Sequence, residues 1–444
     1  MNQLKLILQP LRQGLPAFGP CDLHVLVRVQ ALERPVDLNR KHTPLHLAVV
    51  LDRSGSMSGQ PLQEACRCAS AIAERLVAGD QVAVIAYDNR VRVLRPCQPV
   101  GDLGELKRQI HALTAGGNTN LHGGWAAGVE ALRQAHRPEV ISRVLLLSDG
   151  AANNGITDPE ALGSAAQAAA LEGISTSTYG LGRDFEESLM TAMAKQGTGR
   201  SYYGDLAEDL LDPFMEEFDL LSNLVARKLI LAFDTPDGWT LTQLNGYAHA
   251  EPGQWRLPDL ASQAEAWALF RLQGTCAAKV GELMDLGRIK ITWQDMEGQA
   301  THSAAATFLL PALPEAEALA LPRDPQVANR ISELRVGELQ ALAHQAAELE
   351  DWDLVRTYID EMKILAADHP WSKAVVDELS SLMEHREFRS LKKEFLYQSM
   401  TSSARLTDCD EDVFRPSGSS FTRRKPRSGK AMPPEDPEPP KAPK

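Results

Sequence analysis

Two apolar runs that each end in a carboxylate constrain the fold of this sequence more than any other feature. LHLAVVLD occupies residues 45–52, and RVLLLSDG occupies residues 143–150. A strand that is apolar at nearly every position is buried on both faces, which is typical of a parallel sheet covered by helices. Further strands at 81–88 and 174–182 alternate with helical stretches, so residues 43–218 are predicted to form an α/β unit.

The helical stretches between these strands have apolar residues at helical spacing. We predict helices at residues 61–77, 102–113, 122–135, 158–172, 185–196 and 206–220. A strand at 91–96 is expected to pair with 81–88 across the turn Asp88-Asn89-Arg90, and a short strand is expected near 201–203.

Strands without intervening helices lie on both sides of the α/β unit. They are predicted at residues 4–8 and 22–32 before it, and at 224–233, 239–244, 264–273, 286–293 and 302–309 after it. The strands before the unit need a partner, and the later strands are the obvious one. We therefore expect residues 1–40 to pair with 222–310 in one antiparallel β-sandwich, with the α/β unit inserted between them.

The C-terminal part returns to helical periodicity and then loses its apolar pattern. Helices are predicted at 326–349, 351–367 and 371–398, and the Pro-rich, charged residues beyond 401 are predicted to be disordered. The predicted domains are N-terminal strands at 1–42, the α/β domain at 43–218, an antiparallel β domain at 222–312, a small helical segment at 325–400 and a tail at 401–444.

Charge and cysteine content exclude several classes of protein. The net charge of −13 argues against a nucleic-acid partner, because binding phosphates requires concentrated Lys and Arg. The six cysteines form no CxxC pair, so we expect reduced thiols rather than a zinc site or a disulfide framework. The first twenty residues contain only a short apolar run, and no stretch reaches the ~20 apolar residues of a membrane span. A cytoplasmic protein is the expectation.

Oxygen-bearing side chains follow the ends of the two apolar strands. Asp52, Ser54 and Ser56 lie within one turn, Thr119 lies in the Gly-rich loop 116–120, and Asp149 ends the later run. In parallel sheets, ligands bind beyond the carboxyl ends of the strands, where these loops are expected to meet. Carboxylate and hydroxyl oxygens are hard ligands that suit Mg²⁺ and similar ions.

The D-x-S-x-S stretch at 52–56, the Thr at 119 and the Asp at 149 resemble the metal-ion-dependent adhesion site of von Willebrand factor A domains. The resemblance covers about residues 43–218 and implies a Rossmann-like fold. It implies that Ser54, Ser56 and Thr119 ligate metal through their hydroxyls, and that Asp52 and Asp149 act directly or through water. The ion is expected to be Mg²⁺, with Mn²⁺ or Ca²⁺ as alternatives. The resemblance extends weakly to bacterial intracellular proteins of this type and to the heavy chains of inter-alpha-trypsin inhibitor.

The function that the resemblance implies is non-catalytic binding of a protein partner, which supplies a Glu or Asp carboxylate to the metal. One alternative is a subunit or adaptor of an AAA-type ATPase complex, as in chelatases. A metal-assisted hydrolase would need a general base, for which His122 is the best candidate, although a helix-start His more often packs locally. Arg53 lies inside the metal loop and is either directed at the ligand or solvated.

Overall fold

Three strands lie before the α/β unit in the computed structural model: β1 (Leu4–Pro10), β2 (Leu15–Pro16) and β3 (Phe18–Ala31). The residues that the structure describes are 4–32, 43–99, 101–137, 140–149, 152–181, 185–204, 211–296, 300–367, 370–404, 407–408 and 421–424.

The α/β unit contains strands and helices in alternation. Its strands are β4 (Leu45–Asp52), β5 (Gln81–Tyr87), β6 (Val91–Gln98), β7 (Ile141–Ser148), β8 (Ile174–Leu181) and β9 (Thr198–Gly204). Its helices are α1 (Gln60–Arg75), α2 (Leu103–His111), α3 (Leu121–Ala135), α4 (Pro159–Leu171), α5 (Glu187–Gln196) and α6 (Leu211–Ser222).

The strands of this unit form one sheet in the order β9-β8-β7-β4-β5-β6, which is parallel except for β6. Every residue of β4 and β7 is buried, because helices cover both faces. On β4, Val49 packs in the cluster formed with α1 and α6, and Val50 packs in the cluster formed with α3 and α4. The apolar runs therefore form the centre of a parallel sheet, as their composition predicts.

The strands after the α/β unit belong to two sheets that bury a common apolar cluster and are antiparallel except for the short pair of β2 with β17. They are β10 (Leu224–Asp234), β11 (Thr240–Gln243), β12 (His249–Glu251), β13 (Gln254–Arg256), β14 (Leu260–Ala261), β15 (Ala264–Ala277), β16 (Leu283–Asp295) and β17 (Thr301–Leu313). One sheet has the order β1-β3-β15-β11, and the other has the order β12-β13-β10-β16-β17-β2, with β14 beside β10. The pairing of β3 with β15 runs from Gln30 opposite Glu265 to Phe18 opposite Ala277, and so joins the segments on either side of the α/β unit.

The C-terminal helices are α7 (Glu315–Ala320), α8 (Pro325–Glu348), α9 (Trp352–Ala366), α10 (Pro370–Glu384) and α11 (Phe388–Ala404). The single helix predicted at 371–398 is wrong, because the structure has two helices there. Arg386, between them, has a φ of 57°, a left-handed conformation that a right-handed helix cannot continue through. No helix in the described ranges is both long and apolar enough to cross a membrane.

Two short strands lie in the C-terminal stretch that the sequence predicts to be disordered. Thr407–Asp408 (β18) pairs with β15, and Phe421–Arg424 (β19) lies parallel to β9 at the edge of the α/β sheet. An edge strand presents unpaired amide groups, which accept a further strand through the backbone even when the added sequence is polar. The prediction of disorder is wrong for these residues, and most of the rest of 401–444 lies outside the described residues.

Candidate metal-binding site

The two candidate carboxylates lie at the carboxyl ends of neighbouring parallel strands. Asp52 is the last residue of β4, and Asp149 directly follows β7. Leu51 is opposite Leu147 in the register of these strands, so both side chains reach the same edge of the sheet. This is the edge at which α/β sheets bind ligands.

Asp52 is fully buried, and neutral groups of the chain hold its carboxylate. The Ser148 hydroxyl donates to Oδ2 over 2.7 Å, the Ser54 N–H donates to Oδ1 over 2.8 Å, and the Tyr87 hydroxyl lies 3.4 Å from Oδ2. Burial raises the pKa of Asp52, and these hydrogen bonds offset part of that rise. In the described part of the chain, no Lys, Arg or His forms an ion pair with Asp52. A buried carboxylate that keeps its charge requires such a compensating cation.

The serine hydroxyls connect the first loop to the second carboxylate. The Oγ atoms of Ser54 and Ser56 are 3.1 Å apart, and the Ser56 hydroxyl donates to Asp149 Oδ1 over 2.7 Å. Ser54 is buried, whereas Ser56 is exposed. The hydroxyls thus lie between the two carboxylates at the rim of the sheet.

Thr119 is buried, and its main chain is hydrogen-bonded to residues that follow Asp149 in the sequence. Its N–H donates to Asn153 Oδ1 over 2.8 Å, and its C=O accepts from the N–H groups of Asn153 and Asn154 over 3.2 Å each. The glycines before Thr119 bond to the first loop, because Gly55 N–H donates to Gly117 O over 3.1 Å. All five predicted site residues therefore lie on three loops that are hydrogen-bonded to one another.

Arg53 connects two loops of the site, and is therefore neither directed at the ligand nor simply solvated. Its guanidinium forms an ion pair of 2.5 Å with Asp88 and donates to Thr114 O over 2.9 Å. His122 lies in the first turn of α3, with its ring centroid 6.3 Å from that of Trp125. This position matches the local packing expected of a histidine at a helix start.

Three residues of the site were not identified from the sequence. Ser148 and Tyr87 bond to Asp52, and Asn153 holds Thr119. Ser148 had a detectable signal, since it is a polar residue beside Asp149 in an apolar strand. Nothing in the spacing marks Asn153, because its partner lies 34 residues away in the sequence.

The donor set fits a hard divalent ion. Across the described residues, no three His, Cys, Asp or Glu side chains converge in the manner of a metal cluster. The candidate set consists of two carboxylates and three hydroxyls, which are the oxygen donors taken by Mg²⁺, Mn²⁺ and Ca²⁺.

Comparisons with known proteins identify the α/β unit. The von Willebrand factor type A domain family matches residues 46–215. The uncharacterized protein sll0103 of Synechocystis sp. is 30% identical over 213 residues, which are 48% of this chain and 49% of that protein. The chain thus spans about half the length of this relative.

Two solved structures have a similar fold over most of the chain. The ArnB paralog VWA2 from Sulfolobus acidocaldarius has a TM-score of 0.62 at 18% identity, covering 90% of this chain and 99% of that chain. A von Willebrand factor type A protein from Catenulispora acidiphila has a TM-score of 0.67 at 16% identity, covering 84% and 89%. At these identities the likeness concerns the fold alone. The α/β unit that carries the candidate site, residues 46–215, is a von Willebrand factor type A domain.

Proposed function

We propose that this domain binds a divalent metal ion and uses it to hold a protein partner, without catalysing a reaction. The proposed ligands, acting directly or through water, are Asp52, Ser54, Ser56, Thr119 and Asp149. The partner supplies a Glu or Asp carboxylate to the ion. Von Willebrand factor type A domains generally mediate protein–protein interactions, and the proposal places this chain among those that do so through a metal.

The observation that carries the proposal is the environment of Asp52. This carboxylate is fully buried beside two neutral hydroxyls, and the described residues provide no cation to pair with it. Leaving a buried charge without compensation costs several kcal/mol, on the order of the cost of breaking a buried ion pair. A bound divalent ion removes that cost and accounts for the hydroxyls gathered at the same edge.

The same donor set supports a role in binding a partner. Mg²⁺ takes six oxygen ligands in octahedral geometry and releases its waters reluctantly. Three hydroxyls and two carboxylates, bound directly or through water, occupy five of these six positions. One position is left for an oxygen from another molecule. A carboxylate from another protein fills it with both a ligand atom and a negative charge.

We also propose that the two antiparallel sheets act as one β-sandwich into which the domain is inserted. Their common apolar cluster supports this, because it contains residues from β3, β10, β15 and β16. The proposed compartment is the cytoplasm of a bacterium, where thiols such as those of Cys66 and Cys68 stay reduced.

The metal is tested by thermal unfolding of the full chain in EDTA and in rising Mg²⁺ or Mn²⁺. Ion at about one hundred times its Kd is expected to stabilise the chain by about 2.7 kcal/mol, because the unfolded state lacks the site. Asp52→Ala removes a charged ligand and is expected to abolish most of this increase. Ser54→Ala and Thr119→Ala are expected to reduce it less. Ser58→Ala, an exposed serine of the same turn, is the matched control and is expected to respond like wild type.

The interaction is tested by capturing partners with wild type and with Asp52→Ala, each in Mg²⁺ and in EDTA. A partner held by the metal is retained only by wild type in Mg²⁺. Equal capture in EDTA would refute metal-dependent binding even if the ion stabilises the domain.

A further inference from the structure

We propose that the free edge of β6 is a second contact surface for the same partner, and that it takes an extended acidic segment. The inference rests on the proposed function in one respect, namely that the partner reaches the neighbouring metal. It adds that the partner presents an extended acidic segment besides the single carboxylate that binds the metal.

The edge lies beside the candidate site. β6 is the last strand of its sheet in the described part of the chain, and the turn that leads into it begins at Asp88. Asp88 forms the ion pair with Arg53 of the metal loop, and its C=O accepts from Asn120 N–H over 2.9 Å. A segment that runs along β6 therefore ends next to the loops that carry Ser54 and Thr119.

The edge carries positive charge that no described residue neutralises. Arg90 and Arg92 are exposed, and neither forms an ion pair within the residues that the structure describes. The nearby Asp88 does not serve this purpose, because its carboxylate pairs with Arg53 and accepts the Arg90 N–H over 2.6 Å. In a chain of net charge −13, two uncompensated arginines next to the site favour an acidic ligand.

The backbone and the intervening side chains suit an extended ligand. Val91 and Val93 are 37% and 51% exposed and lie on either side of Arg92 in β6, and Arg90 is the turn residue directly before the strand. Successive side chains of a strand point to opposite faces, so Val91 and Val93 share one face of β6 and Arg92 points to the other. As an edge strand, β6 also directs one row of amide groups away from β5, where an added strand can pair with them.

Charges on an edge strand also discourage indiscriminate strand pairing. Arginines at the edge repel basic strands but attract acidic ones. Selective binding of an acidic peptide therefore distinguishes a contact surface from an edge that only prevents strand pairing. The probe is a synthetic fluorescent peptide of about eight residues in which Glu alternates with Thr and Val, matched by a second in which Lys replaces Glu.

Fluorescence anisotropy of the full chain in Mg²⁺ is expected to show binding of the acidic peptide and none of the basic one. The double variant Arg90→Glu/Arg92→Glu is expected to lower the affinity for the acidic peptide at least about tenfold, because two attractive charges become repulsive. The matched control is Arg356→Glu/Arg386→Glu, which makes the same charge change at exposed positions of the helical segment. It is expected to bind like wild type.

Pairing through the backbone is tested on the peptide itself. Only one row of its amides faces β6, so N-methylation of one alternate set is expected to abolish binding, whereas methylation of the other set leaves it. No binding by wild type, equal binding of both peptides, or equal losses in the two double variants would overturn the inference. Equal effects of the two methylation patterns would also overturn it.

The outcomes separate this inference from the proposed function. If EDTA leaves peptide affinity unchanged but Arg90→Glu/Arg92→Glu still lowers it, the edge surface stands without help from the metal. Failure of the metal-dependent contact would then show separately, as equal capture of the partner in Mg²⁺ and in EDTA. If EDTA and Asp52→Ala abolish binding while the arginine double variant binds normally, the metal contact stands and the edge surface does not.

Discussion

Gly117 shows how closely the loops of the site are packed. Its φ is +81°, and a Cβ at this position would lie 2.4 Å from Asn89 Oδ1. Its C=O also accepts the hydrogen bond from Gly55 of the metal loop. The residue therefore supplies both the left-handed conformation and the space that bring the Thr119 loop to the Asp52 loop.

We expect Gly117→Ala to lower the free energy of unfolding by roughly 1–3 kcal/mol, through a strained φ and a displaced Asn89. The stabilisation by Mg²⁺ should also weaken, because the two loops can no longer meet closely. Gly116→Ala is the control, since a Cβ there meets nothing within 4 Å. Urea unfolding with and without Mg²⁺ measures both effects, and equal losses at 116 and 117 would contradict this account.

At the level of residues, the sequence predicts the candidate site only as far as the pattern of oxygen donors extends. Asp52, Ser54 and Ser56 are adjacent in the chain, and apolar strands mark the position of Asp149. Arg53 could not be assigned, because its role depends on Asp88, which is 35 residues away in the sequence. Contacts between loops follow from tertiary structure, which residue spacing does not encode.

At the scale of elements, helix α6 is fixed to the sheet by a buried ionic network. Glu217 of α6 is fully buried, pairs with Arg143 of β7 and accepts the Ser177 hydroxyl of β8 over 2.8 Å. Burial alone would raise the pKa of Glu217, but the charges of Arg143 and Arg200 outweigh it and lower the pKa. The folded state therefore favours the ionised carboxylate.

We expect Glu217→Gln to lower the free energy of unfolding by roughly 3–5 kcal/mol near neutral pH, because two buried guanidinium groups lose their counter-charge. A lowered pKa contributes stability above the ordinary pKa, and this contribution disappears as the pH falls through the folded-state value. The difference between wild type and variant should therefore shrink in acid, as followed by urea unfolding at several pH values. Asp219, on the same helix as Glu217, forms an exposed ion pair with Arg75 of α1, and Asp219→Asn should cost less than about 1 kcal/mol. A wild-type advantage that is constant with pH would contradict this role of the ionised Glu217.

The elements that could be predicted were those with a long apolar pattern. Strand β4 occupies residues 45–52 as predicted, and β7 (Ile141–Ser148) contains most of the apolar run that begins at 143, because full burial leaves a continuous apolar run. The short strands β12, β13 and β14 were missed, since two or three residues carry no measurable period. Strand β19 was missed for another reason, because its pairing depends on the edge of β9 rather than on its own composition.

At the scale of the whole molecule, the C-terminal helices contact both the β-sheets and the von Willebrand factor type A domain. Val327 and Leu334 of α8 pack with Trp267 on the five-stranded sheet, and the Arg330 guanidinium lies 4.6 Å from the Trp267 ring centroid. At the other end, Tyr397 of α11 is buried in the domain core. The helical segment therefore holds the domain and the sheets in one arrangement.

We expect Tyr397→Ala to lower the free energy of unfolding by roughly 3–5 kcal/mol, since it leaves a cavity beside Tyr203. Tyr397→Phe keeps the ring and loses the hydroxyl that bonds to Ser201 over 3.2 Å, so about 1 kcal/mol is expected. Calorimetry should show a single transition for wild type and a broader or divided one for the alanine variant. A sharp single transition for Tyr397→Ala at the wild-type temperature would contradict the linking role of α11.

The passage from α6 to β10 has a mechanical consequence. Only Asn223 separates the two elements, and its main-chain groups bond to α6 on one side and to Ser262 on the other. Strand β10 lies inside its sheet, between β13 and β16. A force that is applied to the domain and transmitted through α6 therefore acts on a central, hydrogen-bonded strand and not on a flexible linker. We therefore expect that α6 cannot move along its axis under tension without breaking hydrogen bonds of β10.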